Sequence, residues 1–196
     1  MPADGNGVNI VVVGGTAKSV GKTALICGIL AALPGREWTA IKITSHAYHG
    51  DFATQQVDHD PSTDTGRFLL AGAKKALLLE APADAQWPEF ARKIRKYGTN
   101  LIVESNRIAE HLAPDVCLGV LGEISALEKP SFAGIRARAD AFVARSGQEM
   151  TRQYLPETLL SPGAMFFQLA QMDQISDGMR DWLQDRLRIR LSPSRR

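Results

Sequence analysis

The sequence predicts a single α/β domain of three layers, a mostly parallel sheet flanked by helices. Three observations carry that reading. Short β-branched and aliphatic runs recur along the chain, helical periodicities stand between several of them, and glycine or proline closes the helical stretches. With 196 residues, 44% of them hydrophobic and 22% charged, the chain can bury one core without needing a second.

Residues 1–7 read as a disordered leader, 8–190 as the domain and 191–196 as a basic tail. Val8-Asn9-Ile10-Val11-Val12-Val13 is the near-continuous apolar run of a strand buried on both faces. Residues 23–33 carry Ala24, Leu25, Ile26, Ile29 and Leu30 at helical spacing, and Pro34-Gly35 ends that helix. A second strand is expected over 38–43. Residues 44–63 form a polar stretch without periodicity, and a loop of that length in a compact domain is functional or disordered. Asp64 is expected to cap a short helix running to Ala71 and closed by Gly72. Further strands are expected over 76–80, 101–104, 116–121 and 141–144, with an amphipathic helix over 84–97 stopped at Gly98. Residues 165–189 read as mostly helical, with Gly178 as a break. Phe166, Phe167, Leu169, Met172, Ile175, Met179, Trp182, Leu183 and Leu187 form an apolar face that can pack on the sheet or on a second copy, and a homodimer is expected.

A net charge of +2 is too small to argue for a nucleic-acid partner. The basic cluster Arg186, Arg188, Arg190, Arg195 and Arg196 reads as a solvated terminus. Cys27 and Cys117, both among apolar neighbours, read as free thiols of a reducing compartment. No cationic segment precedes the apolar run at Val8, which is too short to span a membrane. A cytoplasmic location without a membrane partner is expected.

The segment Gly14-Gly15-Thr16-Ala17-Lys18-Ser19-Val20-Gly21-Lys22-Thr23 follows the first strand and opens the first helix, the context of a phosphate-binding P-loop. Gly14, Gly15 and Gly21 free the backbone to turn consecutive N–H groups toward phosphate oxygens, and the helix N-terminus adds its positive end. Lys22 can reach the β- and γ-phosphates, and the Thr23 hydroxyl can ligate Mg²⁺. Five residues rather than the usual four separate Gly15 from Gly21. With this loop the domain is expected to take the P-loop NTPase fold, with Mg²⁺ and GTP or ATP as its cofactors. No Asn-Lys-x-Asp segment reads guanine, so the base is left open.

Mg²⁺ keeps several waters and uses few carboxylates. Glu104 ends an apolar strand where such an acid belongs, and Asp64 and Asp60 offer the same service from the polar stretch. Lys22, Glu104 and Asp64 are therefore the candidate catalytic residues, and Thr23, Glu104 and Asp64 the candidate metal ligands. Lys42 interrupts an apolar strand near its carboxyl end and faces either the nucleotide crevice or solvent. His46, His49 and His59 with Asp51, Asp58 and Asp60 are of metal-ligating type, but their spacing matches no tight signature, and a solvated loop reads equally well. Arg107 is either an arginine finger or a helix-surface residue.

On these residues the first two-thirds of the chain resembles the molybdopterin-guanine dinucleotide biosynthesis protein B family. The matching pieces are the Gly-Lys-Thr loop, Ile41-Lys42-Ile43, His46 and His49, Asp60 through Asp64-Thr65, Ala71-Gly72-Ala73 and Val103-Glu104. The resemblance implies a protein that binds GTP with Mg²⁺ and assists the enzyme that attaches a guanine nucleotide to molybdopterin. Slow turnover is expected because no residue of the sequence reads as a good water-positioning group. Ser105-Asn106 stands where that family would place a glycine. The longer loop itself is similar to that of dethiobiotin synthetase, which implies an ATP-dependent ligase or kinase acting on a small metabolite. A non-catalytic switch, in which nucleotide orders residues 44–63, is the third reading.

Overall fold

The computed structural model describes residues 8–44, 53–56, 59–122, 129–147 and 163–188. The leader, the basic tail, His46, His49, Asp51 and Asp58 lie outside the described residues. Its strands are β1 (Asn9–Gly15), β2 (Trp38–Thr44), β3 (Ala53–Gln56), β4 (Lys75–Glu80), β5 (Asn100–Glu104), β6 (Val116–Leu121), β7 (Ala141–Arg145) and β8 (Met165–Leu169). The helices are α1 (Lys22–Ala32), α2 (Asp64–Leu70), α3 (Trp87–Ile94), α4 (Ala109–Leu112), α5 (Ala133–Arg138) and α6 (Asp177–Arg188).

All the strands belong to one sheet in the order β3-β4-β2-β5-β1-β6-β7-β8, parallel throughout except for β3, which runs antiparallel to β4 at one edge. The continuous apolar runs follow from burial on both faces. Ile10 and Val12 of β1 face the layer of α3, α4 and α5, where they meet Ile94, Leu112 and Ile135. Val11 and Val13 face the opposite layer, among Leu25 and Ile29 of α1 and Met179 and Leu183 of α6. The architecture is the three-layer α/β sheet that the sequence predicts.

Five features differ from expectation. Residues 165–169 form a strand, not a helix: β8 pairs with β7 from Ala141↔Met165 to Arg145↔Leu169. Phe166 packs against one core layer and Phe167 against the other, which strand alternation allows and a single helix face does not. Gly178 sits in the first turn of α6 and breaks nothing. The polar stretch contains β3, an edge strand held by its backbone. Thr63, not Asp64, caps α2, since its Oγ1 accepts from the Gly66 N–H at 3.0 Å. The helix expected over 84–97 divides into a 3₁₀ turn (Asp84–Gln86) and α3, which starts where Pro88 can occupy the first turn without losing a hydrogen bond.

Both cysteines are free thiols, with Cys27 half-buried on α1 and Cys117 buried in β6. Burial, aided by Asp140, pushes the Cys117 thiol up to about 12, and burial also raises Cys27. Among the described residues no helix is long and apolar enough to cross a membrane.

Candidate functional site

Parallel strands β2, β5 and β1 end side by side, and their carboxyl ends carry the site. β1 runs two residues further than its apolar pattern, so Gly14 and Gly15 are strand residues. Their lack of a side chain serves close approach. A Cβ on Gly14 would stand 2.4 Å from Ile135 and 2.8 Å from Asn106 Oδ1, and one on Gly15 would stand 2.7 Å from Val20. Positive φ falls later, at Ser19 (58°) and Gly21 (101°), where the chain reverses into α1.

The longer loop is fastened at both sides. Thr16 donates its N–H to Val120 O at 3.0 Å, accepts from Lys129 N–H at 2.9 Å, and takes the Gly122 N–H on Oγ1 at 2.9 Å. Asn106, in the bend after β5, grips the same stretch. Its Oδ1 accepts the Gly15 N–H at 2.8 Å, and its Nδ2 donates to Gly15 O at 3.0 Å and to Ser131 Oγ at 3.1 Å. With the N–H groups of Gly15 and Thr16 already bonded, the part of the loop left to face an anion runs from Ala17 to Thr23. Sequence reasoning missed Asn106, having noted it only as a departure from the resembling family.

Lys22 lies over the loop with its ammonium donating to Ala17 O at 3.1 Å. Burial lowers its pKa, Glu104 opposes that shift, and the nearby cations Lys129 and Lys42 reinforce it. Thr23 Oγ1 donates to Glu104 Oε2 at 2.8 Å. Glu104 is only 6% exposed, so the Walker-type acid expected at the end of β5 faces inward.

Lys42 belongs to an interior strand and turns to the crevice. Its ammonium pairs with Asp64 and lies 3.4 Å from Glu104 Oε1, bridging the two carboxylates. Burial alone would lower the Lys42 pKa, but Glu104 and the bond to Asp64 outweigh it and hold it above its ordinary value. Burial alone would raise Asp64, but the bond and charge of Lys42, with Thr23 and Arg67, together outweigh it and hold Asp64 low.

Thr23, Glu104 and Asp64 thus converge as one hydroxyl and two carboxylates, hard oxygen donors of the kind Mg²⁺ takes alongside its own waters. The Thr23–Glu104 bond, and the one ammonium of Lys42 that both carboxylates share, bring these donors close together, so the residues fit the metal. Lys42 would have to swing off the two carboxylates to admit it. Asp60 does not join them. Its carboxylate accepts the Ser62 N–H and hydroxyl, both at 2.8 Å, bonds that hold its pKa low. Neither Asp60 nor His59 lines the crevice, and among the described residues no three His, Cys, Asp or Glu side chains gather as a metal site.

The crevice is a cavity of about 680 Å³. Lys18, Lys22, Lys42, Arg67, Arg107 and Lys129 line it against the carboxylates of Asp64 and Glu104. Arg107 stands in the bend after β5 rather than on a helix, a placement the sequence did not disclose.

The fold has a solved counterpart. HypB from Helicobacter pylori, crystallised in complex with nickel, is similar over 97% of this chain and 92% of that one, with a TM-score of 0.58 and 13% identity. The likeness shows the P-loop NTPase fold. No family model and no curated protein matches the sequence.

Proposed function

We propose that this chain is a Mg²⁺-dependent P-loop nucleotide-binding protein of the cytoplasm that turns over GTP or ATP slowly. The observation that carries the reading is the junction of β1 and α1. There a left-handed Gly21, the Lys22 ammonium and the Thr23 hydroxyl, 2.8 Å from Glu104, stand together in a cavity ringed by cations. Backbone N–H groups at a helix start, a lysine and a hydroxyl are the parts a triphosphate needs. Bound Mg²⁺ would neutralise charge on the β- and γ-phosphates. Thr23, Glu104 and Asp64 would hold it, Lys22 would hold phosphate oxygens, and Lys42, freed from its carboxylates, would add a second cation.

The finer reading is an accessory protein of molybdenum-cofactor maturation. It rests on the resemblance carried by Lys42, Asp64-Thr65, Ala71-Gly72-Ala73 and Val103-Glu104, and it implies a partner enzyme of that pathway. A second reading, an ATP-dependent ligase or kinase, draws support from the cavity. It extends past the phosphate loop to Thr44, Ala81 and Arg107, which gives room for a co-substrate.

Calorimetric titration with Mg-GTP and Mg-ATP in parallel separates the two. Preference for GTP with little turnover supports the accessory reading. Preference for ATP, with ADP released only when a small carboxylate or amine is added, supports the ligase or kinase. Heat from neither nucleotide would refute both.

A further inference from the structure

Beyond the phosphate loop the cavity continues past the ends of β2 and β4, where Ile43, Thr44, Ala81, Trp87 and Arg107 wall it. The chemistry of this arm differs from that of the loop. Ile43 and Ala81 are apolar and only partly buried, so they offer a surface rather than a filled core. Among the described residues, Arg107 supplies a cation that no buried carboxylate pairs with. Its ion-pair partner Asp84 is 83% exposed, and such a pair leaves most of the guanidinium's attraction for an anion intact.

Arg107 is also fixed in direction. Its guanidinium carbon lies 5.0 Å from the centroid of the Trp87 ring, and Asp84 holds Nη2. Trp87 in turn is set by His111, stacked at 5.8 Å and 17°, and by Phe90 edge-on at 5.7 Å. The indole Nε1 is the one buried side-chain polar atom among the described residues that has no partner.

We propose that this arm binds a second ligand, an organic anion with an apolar body. Its acid group sits on Arg107, and its body lies along Ile43 and Ala81, next to the position of the terminal phosphate. The proposal rests on reading the neighbouring loop as the nucleotide site.

The test is a saturation-transfer NMR titration of the full chain with Mg-ADP present. The probes are 2-naphthoate (anion and apolar body), 2-naphthylmethanol (body alone) and succinate (anion alone). Naphthoate is expected to bind at least about ten times more tightly than either control, and Arg107→Ala to lose roughly tenfold or more of that affinity. Arg107 is half exposed, so its removal does not threaten folding. Equal binding of naphthoate and the alcohol, equal binding of naphthoate and succinate, or an unchanged Arg107→Ala would each overturn the proposal. So would displacement of naphthoate by Mg-ADP, which would place the acid in the phosphate loop. If calorimetry shows no Mg-ADP binding while naphthoate still depends on Arg107, the nucleotide reading fails and the organic-anion site stands.

Discussion

Replacing Asn106 with alanine removes three hydrogen bonds at once, those to the Gly15 N–H, to Gly15 O and to Ser131. Gly15 is buried, so its backbone groups would be left without partners rather than released to water. A typical bond contributes about 1 kcal/mol net, and an unsatisfied buried group costs about 1–3 kcal/mol. The sum is roughly 2–4 kcal/mol, since the Ser131 hydroxyl can find water. For a chain of this length, at about 2–4 °C per kcal/mol, that lowers Tm by roughly 4–16 °C. Differential scanning calorimetry reads the shift, and nucleotide affinity should fall with it because the base of the loop is loosened. Asn106→Asp should be as severe, since a carboxylate would then face Gly15 O without a proton to donate. If Asn106→Ala melts within about 2 °C of the parent and binds nucleotide equally well, the reasoning that the loop is stapled from the bend after β5 is wrong.

Lys42→Met leaves Asp64 and the nearly buried Glu104 facing each other without their cation, a loss of about 1–3 kcal/mol. Added Mg²⁺ should raise the melting temperature of that variant more than that of the parent, as thermal shift in a magnesium series would record. Asp64 is held below its ordinary 3.8, so its pairing stabilises the fold above that pH and is lost as the pH falls through the depressed value. Asp64→Asn should therefore flatten the acid limb of stability, read by urea unfolding between pH 7 and pH 3; an unaltered limb would count against the pairing. Glu104→Gln should slow turnover far more than it weakens nucleotide binding, by steady-state assay and calorimetry together.

What the sequence disclosed follows from where the physics is local. β1, β5 and β6 are aliphatic runs between turn signals, and burial on both faces writes that pattern directly. Ala53-Thr54-Gln55-Gln56 carries no such pattern, because an edge strand can be held by backbone bonds alone. Met165–Leu169 misled because its apolar residues continue in helical spacing into α6, and spacing cannot separate a short strand from a helix segment. In the candidate site, Lys22 and Thr23 were legible from the glycine loop that opens α1, and Lys42 and Glu104 from their positions near strand ends. Asn106 was not, because its partner is set by sheet register. Val13 pairs with Glu104, the last residue of β5, and two residues further along the chain on each side Gly15 meets Asn106. The placement of Arg107 over Trp87 likewise joins residues whose proximity no local pattern records.

The central claim is that the loop ending in Lys22 and Thr23 holds a Mg-nucleotide. Titrating the parent and Lys22→Ala with Mg-GTP and Mg-ATP under identical conditions addresses it most directly. Loss of a charge-assisted contact of about 1.5–3 kcal/mol predicts affinity at least tenfold weaker in the variant for whichever nucleotide the parent prefers. Equal affinities would contradict the claim and place any bound nucleotide elsewhere on the molecule.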